Sequence, residues 1–137
     1  MKILLVDDVL TNILLLKSYL AALGEVESAQ DGKTAVELFA RALEAGEPFD
    51  LVCLDIMMPI YDGHWTLKQM RQIEEKTGVG DDQRSKIIMV TALANQKDVL
   101  KALEDGCDSY IAKPVRKQVL FERLQQLNLL AEDQTAE

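Results

Sequence analysis

Hydrophobic residues fall along this chain in short runs, separated by longer stretches in which apolar positions recur with helical spacing. Five runs have the length and composition of β-strands, at residues 2–6, 25–29, 51–54, 87–90 and 109–112. The first, third and fourth are almost wholly apolar, which is typical of central strands covered on both faces. The second is the most polar and is expected at an edge of the sheet.

Between these runs, apolar residues recur every three or four positions, which predicts helices with one buried face. The clearest series are Ile13, Leu16, Leu20 and Leu23; Ala35, Val36, Phe39, Ala40 and Leu43; and Leu120, Leu124 and Leu127. A third helix is expected at 65–76, and a fourth should begin after the capping residue Asn95 and end before Gly106. Gly24 and the Gly-Glu-Pro segment at 46–48 act as stop signals for the first two helices.

The alternation of strand and helix gives the order (βα)5. This order predicts an α/β fold with a doubly wound, five-stranded parallel sheet, because crossover connections are right-handed. In such sheets ligands bind at the carboxyl ends of the strands. The length of 137 residues and the hydrophobic content of 48% suit one core, so we expect one domain at 1–130 and an acidic, flexible tail at 131–137.

The charge balance excludes several kinds of partner. The chain has 15 basic and 23 acidic residues, a net charge of −8, whereas binding to nucleic-acid backbones requires clustered Lys and Arg. No apolar stretch approaches the roughly 20 residues of a membrane span, and the N-terminal run is too short for a signal peptide. A cytoplasmic protein is therefore expected. Cys53 and Cys107 lack metal-ligand spacing and are interpreted as buried or incidental thiols.

Polar residues collect where the predicted strands end. Asp7 and Asp8 follow the first strand, Asp55 the third, Thr91 the fourth and Lys113 the fifth. All should face one crevice. Three close carboxylates repel one another unless a cation intervenes, and Mg²⁺ prefers such oxygen ligands and commonly shares its site with phosphate. A Lys and a hydroxyl beside the ion suit phosphoryl transfer, with one Asp as the acceptor.

Longer motifs around these residues point to a family. They are Ile-Leu-Leu-Val-Asp-Asp at 3–8, Asp-Gly at 31–32, Asp-Ile-Met-Met-Pro at 55–59 with Asp-Gly at 62–63, Val-Thr-Ala at 90–92, and Gly-Cys-Asp-Ser-Tyr-Ile-Ala-Lys-Pro at 106–114. With them, the chain resembles bacterial response-regulator receiver domains over nearly its whole length. The resemblance implies a flavodoxin-like sheet with the strand order 2-1-3-4-5.

The resemblance also implies roles for the residues at the strand ends. Asp55 is then the phosphoacceptor. Asp8 is a direct ligand of Mg²⁺, or of Mn²⁺ in its place, while Asp7 contributes through water and the backbone carbonyl of Met57 completes the protein ligands. Lys113 contacts the phosphoryl oxygens and precedes a cis peptide bond to proline.

Thr91 and Tyr110 correspond to the family's switch pair, in which the hydroxyl moves to the phosphoryl group and the aromatic ring turns inward. The phosphoryl group would come from a sensor histidine kinase or a His-phosphotransfer protein. The chain would catalyse only its own phosphotransfer and dephosphorylation, and is not otherwise an enzyme. The surface of the fourth helix, fifth strand and fifth helix would bind a downstream protein or a second copy of the chain. Because the chain starts at the first strand and stops soon after the last helix, a single-domain regulator is expected, with a receiver that belongs to a hybrid kinase or a longer regulator as the alternative.

The lifetime of the phosphorylated form can also be predicted. In receivers, the side chains two residues after the phosphoacceptor and two after the switch Thr flank the path of the hydrolytic water. Here they are Met57 and Leu93. Neither can orient a water molecule, so we expect slow autodephosphorylation.

Three other interpretations compete with this one. A metal-dependent phosphatase with an Asp nucleophile needs an acid–base Asp at the position of Met57. A nucleotide- or flavin-binding module needs a Gly-rich first turn, where this chain has Asp7 and Asp8. A docking module that no longer depends on phosphorylation would not need the intact set of acids, Thr91 and Lys113.

A few residues outside the strand ends also carry expectations. His64, the single histidine, follows Asp-Gly and is expected at an exposed helix start. Trp65 is expected to be half-buried. Leu14, Leu15 and Tyr19 widen the apolar face of the first helix, which favours either a partner or dimer surface or a thick core.

Overall fold

Five parallel strands form one sheet in the computed structural model, which describes residues 1–92 and 95–131. The strands are β1 (Lys2–Val6), β2 (Glu25–Ala29), β3 (Leu51–Asp55), β4 (Lys86–Thr91) and β5 (Ser109–Ala112). They pair in the order β2-β1-β3-β4-β5. The predicted α/β fold, the strand order and the polar edge strand are confirmed. Leu93 and tail residues 132–137, for which the sequence predicted a role in hydrolysis and a flexible tail, lie outside the described residues.

The helices are α1 (Leu10–Leu20), α2 (Gly32–Glu44), α3 (Gly63–Lys76), α4 (Gln96–Glu104) and α5 (Lys117–Gln126). The side chains of Asp31, Asp62 and Asn95 each accept a hydrogen bond from the backbone N–H three residues later, at 2.7, 2.9 and 2.9 Å. Such caps satisfy N–H groups that have no partner within the helix, so they fix where α2, α3 and α4 begin. Within residues 1–92 and 95–131, no helix is both long and apolar enough to cross a membrane.

Two apolar cores lie on the two faces of the sheet, because successive side chains of a strand point to opposite faces. Leu4 and Val6 of β1 belong to the core beneath α2, α3 and α4. Ile3 and Leu5 belong to the core beneath α1 and α5. The central strands are buried on both faces, as their apolar composition predicts. These cores fix the carboxyl ends of the strands relative to one another.

The strand register determines where the polar residues lie. Asp7 directly follows β1 and Asp55 ends β3, and the two strands are paired up to the preceding residue of each. Thr91 ends β4 opposite Ala112 of β5, so Lys113 is the next residue at that edge. The predicted meeting of the strand ends at one side of the sheet is therefore confirmed.

The expectation for His64 was wrong. Its side chain is buried, with 7% of the residue exposed. The reason lies at Gly63, whose N–H donates to Ile56 O at 2.9 Å and whose position leaves no room for a Cβ against the backbone of Asp55. This close approach draws the start of α3 onto the end of β3 and carries the next residue inward. Trp65 is half-buried, as predicted.

The apolar face of α1 is divided between core and surface. Tyr19 packs against the second core, and its hydroxyl donates to Val115 O at 3.2 Å. Leu14 and Leu15 are 54% and 41% exposed. The thick-core interpretation is therefore wrong for these two leucines, and α1 presents an apolar surface next to the carboxyl end of β1.

Candidate functional site

Three carboxylates converge at the carboxyl ends of β1 and β3. One oxygen from each of Asp7, Asp8 and Asp55 lies within 4.8 Å of the others. Asp7 and Asp55 are buried, with 2% and 3% of their surface exposed, whereas Asp8 is exposed to solvent. The structure therefore brings the three predicted carboxylate ligands together and keeps one side of the group accessible.

Lys113 connects the two buried carboxylates. Its Nζ lies 2.9 Å from Asp7 Oδ2 and 3.4 Å from Asp55 Oδ1. Its backbone N–H donates to Thr91 O at 2.8 Å, and its peptide bond to Pro114 is cis, as the resemblance implied. In the described part of the chain, Lys113 supplies the only ammonium group that forms an ion pair with these carboxylates, so the cluster keeps an excess of negative charge.

Backbone and side-chain donors hold the two buried carboxylates in place. Asp7 Oδ1 accepts hydrogen bonds from the N–H of Val9 at 2.9 Å and from Asn12 Nδ2 at 3.4 Å. Asp55 Oδ1 accepts from the N–H of Met57 at 3.3 Å. The sequence reasoning missed Asn12. The signal that could have found it is an amide side chain in the first turn of α1, four residues after Asp8.

The electrostatics of the cluster leave Asp55 near its titration range. Burial raises the pKa of Asp55 to about 6, and the charge of Asp7 acts in the same direction against the opposing charge of Lys113. Burial alone would lower the pKa of Lys113, but its hydrogen bond to Asp7 and the charges of both carboxylates outweigh burial and raise it. Near neutral pH the amine is charged, and an added cation would further favour the carboxylate form of Asp55.

The loop between β3 and α3 forms an apolar rim beside the cluster. The side chain of Met57 is 55% exposed and that of Ile60 is 92% exposed. Ile60 has a φ of 67°, a conformation that β-branched residues rarely adopt. The side chain at position 57 is therefore a thioether at the mouth of the site. It offers no strong hydrogen-bonding group that could hold a water molecule.

The two predicted switch residues differ in burial. Thr91 is buried, with 1% exposed, whereas Tyr110 is 38% exposed on β5, opposite Met89. A groove of about 360 Å³ runs beside Tyr110 and is lined by residues of β5, Lys113, Pro114 and the start of α5. The structure thus brings Thr91 to the same strand edge as Lys113 and leaves Tyr110 at an adjoining surface groove.

Sequence comparison places most of the chain within one family. The family model described as "Response regulator receiver domain" matches residues 3–125. The response regulator PleD of Caulobacter vibrioides is 33% identical over 130 residues, which cover 92% of this chain and 26% of PleD. The chain therefore spans about a quarter of the length of that curated relative.

Solved structures share the fold along nearly the whole chain. The CheX–CheY–BeF3–Mg²⁺ complex of Borrelia burgdorferi contains a chain that is 26% identical, with a TM-score of 0.79 and coverage of 93% of this chain and 89% of that one. The co-crystal structure of the Saccharomyces cerevisiae histidine phosphotransfer signaling protein Ypd1 with the receiver domain of Ssk1 contains another. That chain is 26% identical, with a TM-score of 0.80 and coverage of 100% of this chain and 97% of its own length.

Proposed function

The chain belongs to the response regulator receiver domain family, and we propose that its site accepts a phosphoryl group on Asp55 from a histidine-bound donor. Receiver domains of this kind are signalling modules and do not turn over separate substrates. The observation that carries the proposal is the convergence of Asp7, Asp8 and Asp55, with Lys113 Nζ in contact with Asp7 and Asp55. A purely structural ion pair would have no need of the two additional carboxylates.

Mg²⁺ is the cofactor of this site. Asp8, Asp55, the backbone carbonyl of Met57 and, through water, Asp7 would hold it. The donor set fits the ion, because Mg²⁺ takes hard oxygen ligands and one ammonium group cannot balance three carboxylates. When bound, the ion neutralises charge on the phosphoryl oxygens during transfer.

The transfer forms one bond and breaks another. The P–N bond of the donor's phosphohistidine breaks, the imidazole nitrogen keeps that electron pair, and a P–O bond forms with a carboxylate oxygen of Asp55. The ionised form of Asp55 is the nucleophile, which ties the reaction to the electrostatics that set its pKa to about 6. Lys113 Nζ, 3.4 Å from Asp55 Oδ1, is close enough to neutralise oxygens of the incoming group.

Transfer then changes the surface around β5. We place the Thr91 hydroxyl on the phosphoryl group after transfer and expect Tyr110 to exchange its present exposed position for an inward one. Leu100 and Leu103 of α4 are 51% and 45% exposed. We assign these exposed leucines and the 360 Å³ groove, whose lining includes Arg116 and Arg123, to a downstream protein or a second copy of the chain.

The phosphodonor would meet a different surface. Receiver domains bind histidine kinases and phosphotransfer proteins, and the Ssk1 receiver was crystallised with such a phosphotransfer protein. The apolar side chains around the mouth of this site are exposed: Val9, Leu10, Leu14, Leu15, Met57 and Ile60. A donor that brings its phosphohistidine to Asp55 must contact these side chains, so we assign them to the binding surface for the sensor kinase or His-phosphotransfer protein.

The labelling of the protein by acetyl phosphate tests the proposal. Intact mass should show one added phosphate in the presence of Mg²⁺ and none in excess chelator. Asp55→Asn should abolish the labelling, whereas Asp82→Asn, which changes an exposed acid away from the site, should leave it intact. Labelling of the Asp55→Asn variant at the wild-type level would rule out Asp55 as the acceptor.

The switch has its own test. Beryllofluoride with Mg²⁺ mimics the phosphoryl group, and it should shift the amide resonances of residues 95–121 in the wild type. Thr91→Ala should bind the mimic but lose most of the shifts beyond the immediate site. Unchanged spectra in this segment of the wild type would contradict the proposed switch while leaving phosphorylation of Asp55 untouched.

A further inference from the structure

The end of α4 meets the start of α3 through a buried histidine. His64 Nδ1 lies 3.9 Å from Asp105 Oδ2. Both ring nitrogens of His64 and that carboxylate oxygen are buried, and none of them has a hydrogen-bond partner. Buried polar atoms without partners are uncommon because they have lost water and gained nothing in return. A change in protonation or in position that gives these atoms hydrogen-bond partners would therefore stabilise the pair.

We propose that His64 and Asp105 form a proton-dependent link that ties the end of α4 to α3, strong when the imidazole is protonated and weak when it is neutral. A protonated imidazole donates from both nitrogens and forms a charge-assisted hydrogen bond with a carboxylate. A neutral ring can donate from Nδ1 as well, but it lacks the charge and leaves Nε2 as an unpartnered acceptor. His64 acts on α4 only through Asp105, so it is a positioning residue.

The surrounding charges support this assignment. Asp105 is the C-cap of α4, where the negative end of the helix dipole adds to the carboxylate and favours a nearby cation. Burial of the ring and the start of its own helix oppose protonation. Lys68 Nζ lies 3.8 Å from the other oxygen of Asp105, but its side chain is 51% exposed and so competes weakly. In the described part of the chain, no ion pair joins His64 to the neighbouring helix α2.

A second contact at the same loop does not titrate near neutral pH. Arg71 Nε donates to Gly106 O at 2.9 Å, and its guanidinium also binds Glu74 and Asp108. Arginine stays charged at all relevant pH values. The loop after α4 is thus held permanently by Arg71, whereas the C-cap residue Asp105 is held by an imidazole, whose charge depends on whether it carries a proton.

The link matters because α4 is weakly packed. Among its described side chains only Ala102 is buried, while Leu100 and Leu103 are about half exposed. An element with few buried contacts opens locally at low free energy, so one added contact at its end shifts that opening measurably. Only in the folded state does a protonated His64 have the buried carboxylate oxygen of Asp105 as a partner. The link is therefore complete when the imidazole is protonated and is weakened when the imidazole loses that proton.

If α4 belongs to a partner surface, that surface should loosen as the pH rises, and this consequence rests on the proposed function. The link between His64 and Asp105 does not depend on the proposed function. The test therefore uses the Asp55→Asn background, which cannot be phosphorylated on that residue and in which Asp55 no longer titrates. Amide hydrogen exchange is measured for residues 96–104 at pH 6 and pH 8 and expressed as protection relative to amides of β3. His64→Gln and Asp105→Asn are compared with Lys68→Gln, which removes the exposed neighbour of the same carboxylate.

In the parent protein, protection of α4 should fall about threefold to tenfold from pH 6 to pH 8. His64→Gln and Asp105→Asn should show low protection with no such dependence, and Lys68→Gln should behave like the parent. Equal pH dependence in the parent and in both link variants would overturn the proposal. Protected β3 amides identify variants that remain folded, and Asp105→Asn keeps the test available if His64→Gln does not fold.

Discussion

Two buried ionic clusters within residues 1–92 and 95–131 differ in what remains unsatisfied. Around Arg71, the guanidinium binds Glu74 Oε1 at 2.6 Å and Asp108 Oδ2 at 2.8 Å. Backbone N–H groups of Ser85 and Ile87 donate to the same carboxylates, each at 2.8 Å. Every member has partners, so this cluster joins α3 to the strands and to the loop after α4.

In the cluster at the carboxyl end of the sheet, the negative and positive charges do not balance. Asp7, Asp8 and Asp55 lie together beside the ammonium group of Lys113, and burial, followed by the charge of Asp7, raises the pKa of Asp55 to about 6. The same residue types therefore serve structure in one place and chemistry in the other. The distinction lies in the charge and hydrogen-bonding capacity left over for a ligand, which a residue list alone does not reveal.

Removing the cation from the satisfied cluster should have the largest effect. Arg71→Met leaves the carboxylates of Glu74 and Asp108 buried without their partner, and we expect the free energy of unfolding to fall by about 3–5 kcal/mol. Urea unfolding at pH 7 measures it. Arg41→Met, a change at an exposed position of α2, is the matched control and should stay within about 0.5 kcal/mol of the wild type. Similar losses of unfolding free energy in both variants would show that the buried cluster contributes no more to stability than an exposed arginine does.

Removing a charge from the unsatisfied cluster should do the opposite. Asp55→Asn removes a buried charge and its repulsion from Asp7, so the metal-free variant should be more stable than the wild type at pH 7, by at most about 3 kcal/mol for a pKa raised to about 6. The folded protein binds this proton more tightly than the unfolded chain does. The stabilising contribution of the protonated group is therefore full below about pH 4 and is lost as the pH rises through about 6.

Urea unfolding in chelator from pH 4 to pH 7 checks the sign. The stability of the wild type should fall relative to Asp55→Asn across this range. A wild type that gained stability relative to the variant would mean that Asp55 is held as a satisfied carboxylate, like Glu74.

Mg²⁺ should stabilise the folded wild type more than it stabilises a variant that lacks one of the three carboxylates. A ligand that binds only the folded state at ten times its dissociation constant stabilises by about 1.4 kcal/mol. We expect a gain of this size in the wild type and a much smaller one in Asp8→Asn, measured as the shift of the urea midpoint. Glu25→Gln, at an exposed position of β2, should respond like the wild type. An equal gain in Asp8→Asn would place the metal elsewhere.

The smallest expected effect concerns the lifetime of the phosphorylated form. Met57→Asn introduces a side chain that can orient water near Asp55, so dephosphorylation should accelerate by about threefold to tenfold, or roughly 0.7–1.4 kcal/mol in the barrier. The double variant Met57→Asn, Leu93→Glu should be faster still. Single-turnover loss of phosphate at fixed Mg²⁺ and pH measures both. A double variant no faster than the wild type would show that these side chains do not limit hydrolysis.

The sequence predicted the cluster well because its parts follow from strand periodicity. Asp7, Asp55 and Thr91 lie at strand ends, and parallel strands bring their carboxyl ends to one edge regardless of loop detail. Asn12 escaped prediction because its contact depends on the angle at which α1 leaves β1. The side-chain network of Arg71 was not anticipated either, because it joins α3 to Asp108, 37 positions away, with no local pattern to indicate it.

His64 shows the same limit from another direction. Its neighbours Asp62 and Gly63 have the composition of an exposed turn, and local composition alone cannot show that Gly63 lies against the backbone of Asp55. Close approach between distant segments is a tertiary property. Burial of a polar side chain next to such a contact therefore becomes visible only once the elements are packed.

The central claim is that the unsatisfied cluster takes the phosphoryl group on Asp55. The most direct measurement traps the acyl phosphate by reduction with borohydride after labelling with acetyl phosphate and Mg²⁺, and locates the modified residue by peptide mass spectrometry. The account predicts that the carboxylate of Asp55 is reduced to the alcohol, that Asp7 and Asp8 remain unmodified, and that chelator prevents the reaction. Modification at Asp7 or Asp8 in place of Asp55, or equal modification in the absence of Mg²⁺, would contradict it.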